Sequence, residues 1–327
     1  MTEPIPPAAP LPEFEVRLDP PDIGDWIPGN TGIPGVTSFD SGQPGPHVAV
    51  TALMHGNEYA GAIVLDRLLR AGIRPARGRL SLGFLNVEAF TRFDPRRPTV
   101  SRFIDEDMNR VWDERLLDCS RRSLELDRAR ELRPWIDTVD VLLDLHSMLW
   151  PSDPVILCGG PAKGRDLAMR VGGPGVVVSD RGHDNGRRLI DYTRFSDPAT
   201  APAGILVEAG EHWDPATVEV AWRSVSGLLD QYARAPAGHA GPSVGQAAFA
   251  RVTHAITATT SQFAFVRAFR GGEVLPLRNT LIALDGEQEI RTPYDRCLLV
   301  LPSLRPGRGH TAVRLARFED ATATGNC

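Results

Sequence analysis

The sequence predicts an α/β protein: a largely parallel sheet with helices on both faces, followed by a small C-terminal β domain. Three observations point there. From His47 to Arg234, short β-branched apolar runs alternate with segments whose apolar residues recur at helical spacing. The composition changes at Ala235-Pro-Ala-Gly-His-Ala-Gly-Pro242, and beyond it only short strand-like runs between Gly and Pro turns remain. With 327 residues, 42% hydrophobic and 24% charged, the chain has the balance of a globular protein and the length for two domains. The expected division is residues 1–238 and residues 239–327.

Residues 1–13 are rich in proline and are expected to be extended or disordered. From Phe14 to Pro46 Gly, Pro and Asp recur, and the strand-like piece Phe14–Leu18 suggests an edge hairpin or lead-in loops. His47–Met54 reads as a buried strand, and Asn57–Arg70, with Ile63, Val64, Leu68 and Leu69 at helical spacing, as an amphipathic helix. A strand over Arg79–Asn86, a long loop, a helix over Leu124–Ile136 and a strand over Val139–His146 follow. Further strands are expected at Pro154–Cys158, Val176–Ser179 and Gly204–Glu208, and then a long helix from Pro215 to Arg234 with proline at its first turn. The C-terminal strands are expected at Ala248–Ala258, Phe263–Phe269, Thr280–Leu284 and Cys297–Leu301.

A formal net charge of −5 gives no bulk attraction to nucleic acid or to an anionic membrane, so any recognition of an anion must be local. The four cysteines lie far apart without a Cys-x-x-Cys pair, which argues against a cysteine zinc site and against a disulfide scaffold. No apolar run reaches the roughly 18 residues of a spanning helix, and the first residues carry neither basic charge nor an apolar stretch. A cytoplasmic protein is expected, acting on a small molecule rather than on nucleic acid or membrane. The sequence leaves assembly into a homo-oligomer open.

The chemistry starts at Leu53-Met-His-Gly-Asn-Glu-Tyr-Ala60, where an apolar run stops and a His and a Glu stand three residues apart. His55 and Glu58 fall on a strand-to-helix turn, and ligands of α/β sheets collect at the carboxyl ends of strands. By itself the pair also fits a surface turn whose Glu58 faces the positive end of a helix dipole. His146 has the same address, at the end of the strand from Val139. Two His and one Glu with a position left for water form the set that catalytic zinc uses. In the loop Arg102-Phe-Ile-Asp-Glu-Asp-Met-Asn-Arg110, Arg102, Asn109 and Arg110 offer donors for a carboxylate or a developing oxyanion, and Asp107 could steady an arginine or an imidazole. Glu208 ends an apolar strand and is the carboxylate best placed for the raised basicity of a general base. Glu211 and His212 lie just beyond it as weaker candidates.

Taken together, His55-Gly-Asn-Glu58, Arg102, Asp107-Met-Asn109-Arg110, His146-Ser147 and Glu208 resemble the succinylglutamate desuccinylase/aspartoacylase family, relatives of the zinc carboxypeptidases. The resemblance implies a zinc carboxypeptidase-like mixed sheet with helices on both faces and an appended small β domain. It implies one Zn²⁺ per chain on His55, Glu58 and His146, Glu208 as the catalytic carboxylate, Arg102 polarising the scissile carbonyl, and Asn109 with Arg110 gripping a substrate carboxylate. For the further arginine that aspartoacylase carries before its catalytic Glu, this chain offers Arg194 at a different spacing. For the tyrosine that reaches the substrate from the β domain it offers Tyr294, in Thr292-Pro-Tyr294-Asp. The implied activity is hydrolysis of the amide bond of a small N-acetyl- or N-succinyl-type amino acid. A metallocarboxypeptidase acting on short peptides, an esterase, and a zinc-binding module that has lost catalysis are the alternatives.

Overall fold

The computed structural model describes residues 11–182, 185–232 and 247–319. The N-terminal part of the chain forms strands β1 (Val36–Asp40), β2 (His47–Ala52), β3 (Arg79–Phe84), β4 (Val141–Met148), β5 (Val155–Leu157), β6 (Val176–Ser179) and β7 (Ala203–Glu211). Between and after them lie helices α1 (Ala60–Arg70), α2 (Val87–Phe90), α3 (Glu114–Asp118), α4 (Leu124–Ile136), α5 (Ala162–Val171), α6 (Thr193–Ser196) and α7 (Pro215–Tyr232). Strands β8 (Ala248–Thr257), β9 (Phe263–Phe265), β10 (Val274–Leu275), β11 (Leu281–Asp285), β12 (Gln288–Arg291), β13 (Cys297–Val300) and β14 (Thr311–Glu319) complete the described chain.

The large sheet has the order β1-β3-β2-β4-β7-β5-β6-β8-β14-β13-β10. Its centre is parallel: β2 pairs with both β3 and β4, and β4 pairs with β7. β1 and β5 run antiparallel to their neighbours β3 and β7, so the sheet is mixed, as expected. All six residues of β2 and all eight of β4 are buried, the pattern of strands covered on both faces. One apolar layer joins Leu65 and Leu68 of α1, Leu167 of α5 and Leu228 of α7 to one face of the sheet. The other joins Leu117 of α3, Leu126 and Trp135 of α4 and Phe195 of α6 to the opposite face. Each fully buried Leu or Val is worth about 1.5–3 kcal/mol of transfer free energy, which makes these two layers the main reason that the central strands stay in register.

The C-terminal strands continue the large sheet, because β6 pairs in parallel with β8 from Val176↔Ala248 to Ser179↔Arg251. A three-stranded antiparallel sheet, β12-β11-β9, stands beside them. The expected boundary at residues 238/239 lies outside the described residues, as do residues 1–10 of the expected extended N-terminus. Among the described residues no helix is long and apolar enough to cross a membrane.

Two local expectations change, and one strand forms where none was expected. Phe14–Leu18 forms no strand: Phe14, Val16 and Leu18 pack on the core as an extended segment, and the edge strand is Val36–Asp40, paired with β3. Helix α1 starts at Ala60 instead of Asn57, because Leu53 turns into the left-handed region (φ 60°) and residues 53–59 form a tight connection. Gly56 is needed inside that connection, since a Cβ there would sit 2.4 Å from the carbonyl carbon of Ala89 and 2.5 Å from the Ser101 oxygen. Strand β14 carries no continuous apolar run: buried Ala312, Val313, Leu315 and Ala316 are interrupted by Arg314, whose burial is offset by an ion pair to Asp180 at 3.3 Å.

Candidate functional site

The parallel register of β2, β4 and β7 puts three strand ends side by side. His55 and Glu58 leave the end of β2, and within the β4–β7 ladder His146 is the direct partner of Glu208. Cross-strand partners lie on one face of a sheet, so the metal-ligand candidate and the candidate base face the same space. A cleft of about 170 Å³ opens there, lined by His55, Glu58, His146 and Glu208 and by Arg102, Asn109 and Arg110 from the long loop.

Glu58 is the hub. Its Oε1 lies 2.8 Å from His55 Nδ1 and its Oε2 3.0 Å from His146 Nδ1, and all three residues are buried. Each imidazole is steadied at its other nitrogen by a carboxylate: His55 Nε2 lies 2.8 Å from Asp107 Oδ1, and His146 Nε2 lies 2.8 Å from Asp144 Oδ2. Asp144 in turn accepts a hydrogen bond from Thr51 Oγ1 at 2.6 Å. This is the carboxylate–histidine arrangement that fixes ring orientation and raises ligand basicity at metal centres. Burial would raise the Glu58 carboxyl, but His55 and His146 outweigh it and hold it well below the usual carboxylate range. Burial would lower His146, but Asp144 and Glu58 carry it well above the usual imidazole range. The cluster therefore favours a positive charge at its centre. One ring nitrogen of each imidazole and a Glu58 oxygen lie within 4.8 Å of one another, so the three side chains could hold a metal ion.

Arg102 reaches the hub from the loop: its Nη1 donates to Glu58 Oε1 at 2.8 Å and its Nη2 to Asp107 Oδ2 at 3.1 Å. The loop itself is anchored by Glu125, a buried acid in the first turn of α4. Its carboxylate accepts from the backbone N–H of Ile104, Asp105 and Glu106 at 2.7, 3.0 and 3.2 Å. Asn109 is buried, with Oδ1 accepting from Leu189 N at 2.9 Å, and Arg110 donates to the Asn109 carbonyl at 2.7 Å. Asp107 does what its position in the loop suggested, holding both an imidazole and an arginine.

Glu208 differs from every other carboxylate of the cluster. Although the residue as a whole is only partly covered, its Oε2 is sealed from solvent and has no hydrogen-bond partner among the described residues. Burial, opposed by His146 and reinforced by the Glu58 charge, pushes its pKa up to about 7. Such a carboxyl can take up and release a proton near neutrality.

Two expected substrate contacts are not in the cleft. Arg194 donates to the Val139 carbonyl at 2.8 Å and to Asp140 at 3.3 Å, which places it at the start of β4, the end of the sheet opposite His146. Tyr294 is buried in the C-terminal core with its hydroxyl 2.7 Å from Thr253 Oγ1 and Arg317 stacked 4.3 Å from its ring. The C-terminal part reaches the cleft through Leu301, Pro302 and Ser303 instead. Glu211, the weaker candidate beyond Glu208, does not line the cleft: β7 runs on to include it, and it accepts from Arg270 at 2.9 Å across the contact with the C-terminal strands.

Sequence reading underrated His212 and passed over Asp144 and Glu125. His212 is buried at the cleft wall with Nδ1 2.7 Å from Ser147 Oγ, and burial pushes its pKa down to about 4. Asp144 carried a usable signal, since residues two apart on a strand share a face and a lone acid there needs a partner such as His146. Glu125 carried none, because an acid in the first helical turn is an ordinary capping feature.

Comparison with known proteins agrees with the motifs. The family model for the succinylglutamate desuccinylase/aspartoacylase catalytic domain matches residues 44–168, the stretch that contains His55, Glu58, Arg102, Asn109, Arg110 and His146. No curated protein matches the chain. Among solved structures, succinylglutamate desuccinylase from Vibrio cholerae has 17% identity and a TM-score of 0.68, with 88% of each chain covered. The succinylglutamate desuccinylase from Vibrio parahaemolyticus has 16% identity and a TM-score of 0.66, covering 88% of this chain and 87% of that one. The product-bound ectoine utilization protein EutE (DoeB) from Ruegeria pomeroyi has 15% identity and a TM-score of 0.60, covering 87% of this chain and 88% of that one. At such identities the likeness is one of fold, and the resemblance to the family rests on it together with the matched catalytic stretch.

Proposed function

We propose that the chain is a zinc-dependent hydrolase that cleaves the amide bond of a small N-acyl amino acid, releasing a carboxylate and a free amine. The observation that carries this reading is the pairing of Glu208, a carboxylate with one sealed and unpartnered oxygen, with His146 of a three-residue donor set across one ladder. A module that only bound metal would have no use for a carboxylate left unsatisfied at that point, because such a group costs about 1–3 kcal/mol of desolvation.

His55, Glu58 and His146 would hold the ion. Bound zinc supplies Lewis-acid polarisation and lowers the pKa of water to about 7. Glu208 takes the proton of the attacking water on its unpartnered oxygen and passes it to the nitrogen of the leaving amine. Arg102, already directed at Glu58, faces the space where the carbonyl oxygen gathers charge, and a donor of this kind is worth roughly 2.7–4 kcal/mol in the transition state. Asn109 and Arg110 hold the substrate carboxylate, for which the planar guanidinium fork is suited. Cys119, Cys158 and Cys297 are free thiols, which suits a reducing, cytoplasmic setting.

Metal analysis joined to turnover tests the reading. Wild-type protein should carry one equivalent of zinc and hydrolyse N-acyl amino acids, and His55→Ala and His146→Ala should lose both properties. Full metal retention in both variants would remove the site, and release of C-terminal residues from dipeptides in place of amide deacylation would make the chain a carboxypeptidase.

A further inference from the structure

We infer that His212 is a catalytic residue whose Nε2–H donates to the acyl carbonyl oxygen as charge develops on it, and that Ser147 is the positioning residue that orients the ring. The inference rests on the amide-hydrolase reading, which gives this oxygen to Arg102 and leaves Ser147 and His212 of the cleft wall without a part in the reaction.

An irregularity of the β4–β7 ladder brings the two residues together. Pairing runs from His146↔Glu208 to Met148↔Glu211, so Ser147 alone stands against Ala209 and Gly210, the arrangement of a β-bulge. Neighbours on a regular strand face opposite sides, yet His146 and Ser147 both line the cleft, which is the re-aiming that a bulge provides. The bulge is pinned in place. His212 N donates to the Met148 carbonyl at 2.8 Å, and Thr217 Oγ1 donates to the Glu211 carbonyl at 2.7 Å. Gly210 has φ 143°, and a Cβ there would lie 2.6 Å from that Thr217 oxygen. Trp213 packs against the imidazole with ring centres 5.1 Å apart and donates from Nε1 to the Asn57 carbonyl at 3.0 Å. His212 is thereby tied to the connection that carries His55 and Glu58.

The hydrogen bonds fix the ring's proton. Ser147 Oγ lies 2.7 Å from His212 Nδ1, and neither Ser147 Oγ nor His212 Nε2 has a further partner among the described residues. Donation by the serine hydroxyl to Nδ1 satisfies both groups and places the proton of the neutral ring on Nε2, whereas the reverse tautomer leaves the hydroxyl hydrogen without an acceptor there. Burial, which pushes the His212 pKa down to about 4, keeps the ring in that neutral form near pH 7. Ser147 N donates to Glu58 Oε2 at 3.3 Å and Arg102 to Oε1 at 2.8 Å, so the pair and the guanidinium reach the hub by different oxygens and flank an acyl carbonyl held there. When water adds to the acyl carbon, the π electron pair moves onto the carbonyl oxygen. A neutral imidazole N–H stabilises that charge without forming an ion pair with Glu58 beforehand.

The test joins kinetics on N-acetyl amino acids to calorimetry of two small ligands on zinc-loaded protein: acetate, which is planar, and methylphosphonate, whose tetrahedral oxygens stand in for those of the hydrated acyl group. His212→Phe keeps a ring and deletes the donor. It should lower kcat about 100-fold with KM within about threefold, and weaken methylphosphonate about tenfold with acetate within about threefold. His212→Gln, whose amide nitrogen can stand near the place of Nε2, should recover about tenfold of the lost rate. Ser147→Ala should lower kcat about tenfold in wild type and cost nothing further on top of His212→Phe, because the serine acts through the ring. Zinc content and melting curves accompany every variant, and if His212→Phe does not fold, His212→Gln and Ser147→Ala decide the matter by the same split between kcat and KM. A raised KM with unchanged kcat, or methylphosphonate bound as tightly by His212→Phe as by wild type, overturns the inference. Additive losses in the double variant overturn the part given to Ser147. Wild-type protein that hydrolyses none of the amides overturns the amide-hydrolase reading instead, and the methylphosphonate arm then decides by itself whether His212 serves a tetrahedral oxyanion.

Discussion

Two clusters of buried charge border the same cleft, one around Glu58 and one around Arg188, and they treat their polar atoms differently. In the second, Arg188 is wrapped by Asp180 and Asp191, and each contact is a charge-assisted hydrogen bond, between 2.5 and 3.1 Å long. In the first, the hub Glu58 is shared by His55, His146 and Arg102, while Glu208 keeps a buried oxygen without a partner. Burial of charge alone therefore does not mark the site. The marker is burial with a deficit: an acceptor whose partner must arrive from outside, next to imidazoles oriented for a cation. The satisfied cluster fixes how β6, β14 and the segment after β6 meet, and the unsatisfied one is arranged for chemistry.

The comparison is broken most decisively at Glu208. Glu208→Gln should lower kcat by about 10²–10⁴-fold, the usual contribution of a general base, while metal content and the melting temperature stay at or above wild type. Near-normal turnover would move the base elsewhere and leave the orphaned oxygen unexplained. The counterpart at the other cluster is Arg188→Met, which leaves the buried Asp180 with Arg314 as its remaining cation and strips the partly buried Asp191 of its guanidinium. It should cost about 3–5 kcal/mol of stability in chemical denaturation, with the catalytic constant of the surviving folded protein affected far less. Loss of rate without loss of stability would assign Arg188 to the substrate and not to the architecture.

A smaller effect sharpens the contrast, because the two clusters respond to pH with opposite sign. Burial would raise the Asp180 carboxyl, but Arg188 and Arg314 hold it below its ordinary value of 3.8. Its folded value is thus depressed, so the stability it contributes is present above pH 3.8 and is lost as pH falls through the folded value. Glu208 is raised from 4.5 to about 7, so its ionisation opposes folding: the cost is absent below pH 4.5, grows toward pH 7 and is complete above it. In chelated, metal-free protein, Glu208→Gln should therefore melt above wild type by a margin that widens from pH 4.5 to about 7. Asp180→Asn should melt below wild type at pH 7, by a margin that narrows as the pH falls below 3.8. Parallel pH profiles for the two variants would contradict the assignment of one deficit cluster and one satisfied cluster.

Much of this site is legible in the chain because its chemistry sits where apolar runs stop. His55, His146 and Glu208 each follow a stretch that can only be a buried strand, and the end of such a strand is a predictable address. The loop residues Arg102, Asn109 and Arg110 were legible only as a family pattern, since nothing local says that a loop from residue 100 folds back over β2. That return is enforced by Glu125 accepting three consecutive backbone N–H groups, a contact between segments about 20 residues apart. Strand β14 was not legible, because Arg314 breaks its apolar run and becomes intelligible only once Asp180 is beside it.

The sequence by itself determined the class of fold, the strands and helices of its central part, and the identities of the metal-ligand candidates and of the candidate base. These depend on periodicity and on where it ends, which are properties of neighbours along the chain. Tertiary structure alone decided which end of the sheet Arg194 lies at, that Tyr294 turns into the C-terminal core, and that Leu301, Pro302 and Ser303 reach the cleft in its place. It also decided that Arg188 is consumed by Asp180 and Asp191 while Glu208 is left with an unpartnered oxygen. The physical reason is that hydrogen-bond satisfaction is settled between groups distant in sequence, by strand register and packing, and no local pattern records which buried charge will find a partner.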